Sequence, residues 1–411
     1  MDRLSLFNRI KWLCDQVLTD YKWLIALFFV LRLYGITDPP LEIQHNWRQC
    51  TGLMIARNFL TLDANILYPR IDDICQKSDI IASEFPLMSY MHYLVALLFG
   101  YEHWYGRIIN LIVSSLGILS FGIILHHFFD KKLTWYSVLA LLVSPWLIYS
   151  RKMMPDTHSV SLMFIGLLFG LRYYQFHRWY YLVLFFIFST LGSLVKIPAA
   201  LYFTIFLFGF ISMRKKIKPE YFIAIAISIC IIYVWYFIWG TYISDKYGNW
   251  YNLGLPLYQG ILDILSHPRE VLYNIVFNSF NSYILFSLFI WGVYKIIKEK
   301  NKKTILCVSL LFGVFWLYIF KAGFFFYHHN YYMIPIIPVL AFVIGYGLYN
   351  SVHKITLFIF FIGVMESIAN QQHDFRIKPS ELYKLELESR LDSIGKGGPK
   401  SPILINTQSN P

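Results

Sequence analysis

The feature that most constrains this chain is a series of apolar runs near bilayer length, about 20 residues, recurring along almost all of it. They fall at residues 23–36, 107–128, 133–149, 157–174, 180–195, 199–213, 221–243, 271–297, 304–320, 333–349 and 355–368, eleven in all. Lipid offers no water to a backbone N–H or C=O, so such runs must close their hydrogen bonds internally, as helices. Composition agrees: 57% of residues are hydrophobic and only 15% are charged, where a soluble domain has about a quarter charged. The expected fold class is all-α and polytopic, with about 11 transmembrane helices.

The formal net charge of +12 first suggests a nucleic-acid partner, but its distribution points elsewhere. The basic runs Lys131-Lys132, His177-Arg178, Arg214-Lys215-Lys216 with Lys218, residues 295–303 and His353-Lys354 all lie between apolar runs. A cytoplasmic N-terminus puts every one of them on the cytoplasmic side, as topology signals usually fall. Residues 1–22 are then a basic, amphipathic cytoplasmic segment without the apolar core of a leader. Residues 23–369 form the transmembrane domain and residues 370–411 a short non-cytoplasmic tail.

The opposite face receives the unusual polar residues. Residues 37–106 form a large first outer loop with two short helical stretches, 47–60 and 87–99, the second too short to span. Both are expected to lie at the interface. Around them gather Glu42, His45, Trp47, Arg48, Gln49, Arg57 and Glu84. Asp156 follows Pro155 at the next outer turn, Lys196 precedes Ile197-Pro198, and His328, His329, Tyr331 and Tyr332 crowd a later one.

Each of these residues has an ordinary reading beside a chemical one. Arg48 and Arg57 either touch lipid phosphate from an amphipathic helix or clamp the phosphate of one lipid-linked substrate, for which arginine's planar fork is suited. Glu42, with His45 beside it, either is solvated or takes a proton from an acceptor hydroxyl. Glu84 and Asp156 either favour a helix N-terminus or serve the site. Lys196 either snorkels to headgroups or is a third phosphate cation. Adjacent histidines face different ways on a helix, so His328-His329 is a poor metal site, and zinc-type spacing, a P-loop and a dinucleotide glycine motif are absent. A divalent cation is left open. Cys50 and Cys75 share the first outer loop, where a disulfide is also left open.

In order along the chain stand His45-Asn46-Trp47-Arg48-Gln49, Ile55-Ala56-Arg57-Asn58-Phe59, Glu84-Phe85-Pro86-Leu87, Gly106-Arg107, Arg151 with Pro155-Asp156, Lys196-Ile197-Pro198, and Tyr331-Tyr332 with Pro335 and Pro338. On these residues the chain resembles GT-C glycosyltransferases of the protein O-mannosyltransferase and aminoarabinose-transferase superfamily, of the bacterial family 39-like kind. The resemblance implies a GT-C-like fold and inverting transfer of a sugar from a polyprenyl-phosphate donor to a lipid, glycan or protein acceptor. It places the reaction on the outer face of a bacterial inner membrane, with membrane lipids as partners and no nucleic acid. It implies a first-loop carboxylate as base and an aspartate at the later outer turn, which Asp156 matches. The first loop departs from the pattern: aligned on Ile55-Ala56-Arg57, the family's acidic pair is replaced by Arg48-Gln49. The base role then passes to Glu42 with His45, or to Glu84. Trp47, Gln49, His328, His329, Tyr331 and Tyr332 are the expected substrate contacts. The larger relatives' soluble outer domain has no counterpart here beyond the tail, with one strand-like run at residues 402–405. The alternatives are a polysaccharide polymerase or ligase using lipid-linked glycans, or a lipid or solute transporter. A transporter would be expected to show repeated halves and charged residues at mid-membrane.

Overall fold

The computed structural model describes residues 20–72, 78–206, 218–248, 253–351, 354–384 and 386. Cys75, and with it the open disulfide, most of the amphipathic N-terminus, and the end of the tail with its strand-like run lie outside them.

The described residues form helices, with two isolated β-bridges, Glu42 to Ile377 and Arg70 to Ile80. The helices are labelled α1 Tyr21–Arg32, α2 Asn46–Thr61, α3 Leu87–Phe99, α4 Tyr105–Phe128, α5 Lys131–Val143, α6 Pro155–Phe176, α7 Trp179–Val195, α8 Pro219–Tyr247, α9 Leu257–Ser266, α10 Pro268–Val276, α11 Tyr283–Lys298, α12 Lys302–Ala322, α13 Ile337–Tyr349 and α14 Lys354–Gln371. Local chemistry sets the ends. Asp130 accepts from the Lys132 amide at 2.7 Å to cap α5, and Asn301 accepts from the Thr304 amide at 3.2 Å to cap α12. Prolines open α6, α8 and α10, where a missing N–H costs nothing.

Four helical stretches among the described residues are long and apolar enough to cross a bilayer: Tyr105–Phe128, Pro219–Tyr247, Lys302–Ala322 and Lys354–Phe375. Several expected spans are shorter or broken. The run at 271–297 divides into α10 and α11, because Asn281 takes a left-handed backbone (φ 50°) and Ser282 caps the new helix through the Leu285 amide. The run at 133–149 stops at Ser144-Pro145, and the run at 333–349 begins as a 3-10 turn ahead of α13. The run at 199–213 starts in a 3-10 turn, Ile197–Phe203. Such interruptions are tolerated at membrane depth only where protein covers the freed backbone.

The core is built by close helix pairs. A Cβ on Gly117 of α4 would meet Ser161 of α6 at 2.3 Å, and one on Gly345 of α13 would meet Ser137 of α5 at 2.0 Å. Small residues let these backbones touch, as membrane helices require when packing rather than water drives association. On α8 the large apolar residues Ile223, Ile227, Ile229 and Phe237 face outward instead, as a lipid-facing helix should.

Candidate active site

The polar segment between α1 and α4 holds two helices, α2 over residues 46–61 and α3 over 87–99. Its first helix starts under strain. His45 precedes α2 with φ 57°, a left-handed conformation uncommon outside glycine. Glu84 does not cap α3, whose N-cap is Pro86. The Glu84 segment is fixed from both sides instead. Phe85 donates its amide to Leu194 at 3.2 Å and packs edge-on against Trp235, whose indole donates to the Ser83 carbonyl at 3.2 Å. Trp235 lies in a π-helical turn of α8, Val234–Trp239. A turn of this kind re-aims side chains and is often found at functional sites.

Glu84 thereby reaches Arg48, and the two form an ion pair. Beside it Lys196, just past α7, pairs with Asp156 in the first turn of α6. The pairs differ in exposure. Side-chain accessibility is 22% and 28% for Arg48 and Glu84, but 10% and 1% for Lys196 and Asp156. One pair fronts the site and the other backs it. Burial alone would raise the Glu84 carboxyl, yet Arg48 and Lys196 together hold it below the usual carboxylate range. One Asp156 oxygen, Oδ2, is buried with no hydrogen-bond partner.

Aromatic rings line the same place. The Lys196 ammonium lies 4.6 Å from the Tyr331 ring centre and 5.3 Å from that of Tyr332, within cation–π range. His329 stacks on Tyr331 at 5.1 Å, and Tyr318 of α12 stacks on Tyr332 at 5.7 Å. His45 meets Tyr331 edge-on at 4.9 Å. Burial, with Lys152 and His329 nearby, carries the His45 imidazole down to about 3, and burial carries His329 down to about 4. Both are neutral rings at ordinary pH.

The structure thus brings together Arg48, Glu84, Asp156, Lys196, His45, His329, Tyr331 and Tyr332. It places the other sequence candidates elsewhere. Glu42 is buried, meets Arg107 at 2.7 Å and accepts from Gln49 at 2.6 Å. Gln49 also accepts from the Met153 amide at 3.2 Å, so both residues are engaged in tying α2 to the Met153 turn. Arg57 pairs with Asp72 on the surface, nine positions along α2 from Arg48, or about 13 Å at 1.5 Å per residue. Trp47 is exposed, and His328 turns outward onto Phe324. Among the described residues no three His, Cys, Asp or Glu side chains come together as a metal ion would need. The two carboxylates of the cluster face cations of the chain itself, Asp156 the Lys196 ammonium and Glu84 the Arg48 guanidinium.

Two contributors escaped the sequence reading. Tyr318 sits inside an ordinary apolar run, yet its hydroxyl is buried next to the cluster with no hydrogen-bond partner. The segment after α14 also returns to the site loop. Asp374 pairs with Lys152 at 3.1 Å, and Lys152 donates to the Gln44 carbonyl at 2.9 Å, one residue before His45. Arg151 lies over Phe375, and the Lys378 amide donates to Leu41 at 2.9 Å.

A family model for dolichyl-phosphate-mannose-protein mannosyltransferase matches residues 83–239, a stretch holding Glu84, Asp156 and Lys196. Two solved structures of ArnT from Cupriavidus metallidurans have the same fold. The apo form superposes with a TM-score of 0.55 at 13% identity, over 83% of this chain and 61% of that one. The form bound to undecaprenyl phosphate gives 0.56 at 13%, over 84% and 63%. The apo oligosaccharyltransferase of Archaeoglobus fulgidus gives 0.58 at 12%, over 92% and 59%. The chain spans about three-fifths of the length of these structures. No curated protein sequence matches. The chain thus shares its fold with these membrane-protein structures.

Proposed function

We propose that this protein transfers a hexosyl or pentosyl group, with inversion, from a polyprenyl-phosphate donor to a lipid, glycan or protein acceptor. The reaction takes place at the outer face of a bacterial inner membrane. One observation carries this reading: four separate segments bring two cations, Arg48 and Lys196, and two carboxylates, Glu84 and Asp156, together beneath an aromatic wall. The likeness to a structure holding undecaprenyl phosphate supports it.

The chemistry follows from the placement. The acceptor oxygen bonds to the anomeric carbon as the bond from that carbon to the phosphate oxygen breaks. The electron pair passes to the phosphate, whose growing charge Arg48 receives with Lys196 behind it. The acceptor proton passes to a carboxylate, and Glu84 is the accessible one. Asp156 fixes Lys196. Tyr331, Tyr332 and His329 face the sugar.

The test is incubation of purified protein with a panel of polyprenyl-phosphate sugars, with mass spectrometry of released polyprenyl phosphate. Release with one donor, and its loss in Glu84→Gln, is expected. Release from none, or full release by Glu84→Gln, defeats the proposal.

A further inference from the structure

We propose that Glu84 is a masked base, held by Arg48 until the donor's phosphate displaces it and frees the carboxylate for the acceptor. This inference rests on the phosphate reading above. Each of the two cations in the site already has a carboxylate partner, so an arriving phosphate must take a cation from one of them.

Burial decides which pair opens. Asp156 is almost wholly enclosed and already has one oxygen without a partner. Withdrawing Lys196 would strand a buried carboxylate, the costliest way to open an ion pair. Lys196 is also held over two tyrosine rings. The Arg48–Glu84 pair is more than a fifth exposed on each side, so water or the acceptor can solvate Glu84 as Arg48 turns away. Guanidinium suits the exchange because its fork fits phosphate as well as carboxylate. The backbone on both sides of Glu84 is pinned, at Ser83 to Trp235 and at Phe85 to Leu194. The freed carboxylate therefore stays in place beside the phosphate.

Order of binding follows. Without donor, Glu84 is neutralised by Arg48 and cannot take a proton. With donor bound, it is an unpaired carboxylate next to the reacting carbon. The donor must engage first, and water entering an empty site meets no active base.

Direct binding of undecaprenyl phosphate to the full chain in detergent tests this. If Glu84 competes with phosphate for Arg48, Glu84→Gln should bind the probe about 5-fold more tightly at low salt, the scale of a part-exposed ion pair. Arg48→Ala should bind it at least ~10-fold more weakly, and the double variant should match Arg48→Ala. Glu84→Asp, which retracts the carboxylate by one methylene, should fall between wild type and Glu84→Gln. That variant decides the matter if Glu84→Gln does not fold. Equal or weaker binding by both Glu84 variants, with Arg48→Ala impaired, overturns masking while the phosphate site stands. Unchanged binding by Arg48→Ala overturns the phosphate site itself.

Discussion

Lys196 donates to the Asp156 carboxylate across 40 residues of chain, joining the end of α7 to the start of α6. The pair is buried, so its two halves depend on each other. Lys196→Met would leave a buried carboxylate without its counter-charge, a loss of about 3–5 kcal/mol. A clear fall in melting temperature in detergent is expected. Lys196→Met with Asp156→Leu should recover most of that stability without recovering sugar transfer. Inactivity of the double variant at restored stability would separate the pair's chemical role from its structural one; an active double variant would make the pair structural only.

The two arginines of α2 should behave differently. Arg48 lies in the cluster, while Arg57 pairs with Asp72 at the surface. Arg57→Ala should stay within about 3-fold of wild type, as loss of an exposed pair usually does. Arg48→Ala should lose at least ~10-fold in kcat/KM. Equal losses in the two would mean that the donor phosphate reaches further along α2 than the cluster does.

Glu42 distinguishes a base from a tie. Its carboxylate faces the buried Arg107 guanidinium and the Gln49 amide. Glu42→Gln should therefore lower the melting temperature, because it leaves a buried arginine charge unpaired at about 3–5 kcal/mol. Any loss of activity should accompany that destabilisation. A Glu42→Gln variant that melts like wild type and binds undecaprenyl phosphate, yet does not turn over, would restore Glu42 as the base.

The acid limb of the pH profile should belong to Glu84. His45 is carried down to about 3 and His329 to about 4, so neither changes charge at neutral pH. Glu84 is held below its ordinary value by Arg48. As pH falls through that lowered value the carboxylate protonates and the base is lost. The acid limb of kcat/KM, which reports free protein, should lie below the usual glutamate range. The limb of kcat should lie higher, because bound phosphate has taken Arg48 away. His45→Gln should move neither limb. A limb at about pH 6–7 that disappears in His45→Gln would make a histidine the base.

The segment after α14 should matter although it adds no group to the cluster. Asp374 and Lys152 form a buried pair, and Lys152 holds the Gln44 carbonyl. Asp374→Asn should loosen the residues leading into α2, raising KM for donor more than it lowers kcat, and speed proteolysis of the segment between α1 and α4. Unchanged kinetics and proteolysis would mean that the other ties of this segment, Glu42 to Arg107 and Gln49 to the Met153 amide among them, hold it without Asp374.

The apolar runs and basic punctuation made the helical membrane class legible, because lipid leaves the backbone few choices. The short α3 was legible from its length; His328 ends a short helix and His329 is extended, so their different facings come from the helix end and not from helical periodicity. Asp156, Lys196 and Glu84 could each be picked out as unusual residues at the ends of apolar runs. Tertiary structure decided which of them meet. Glu42 and Glu84 are both loop glutamates to a reader of the sequence. Packing gave one a buried arginine and the other a part-exposed one, because the Met153 turn closes over α2 while the π-helical turn of α8 holds residues 83–85 at the site's edge. Tyr318 and Asp374 were invisible for the same reason. Apolar periodicity fixes which way one helix faces; it carries no record of which distant segment, and which charge, comes to lie against it.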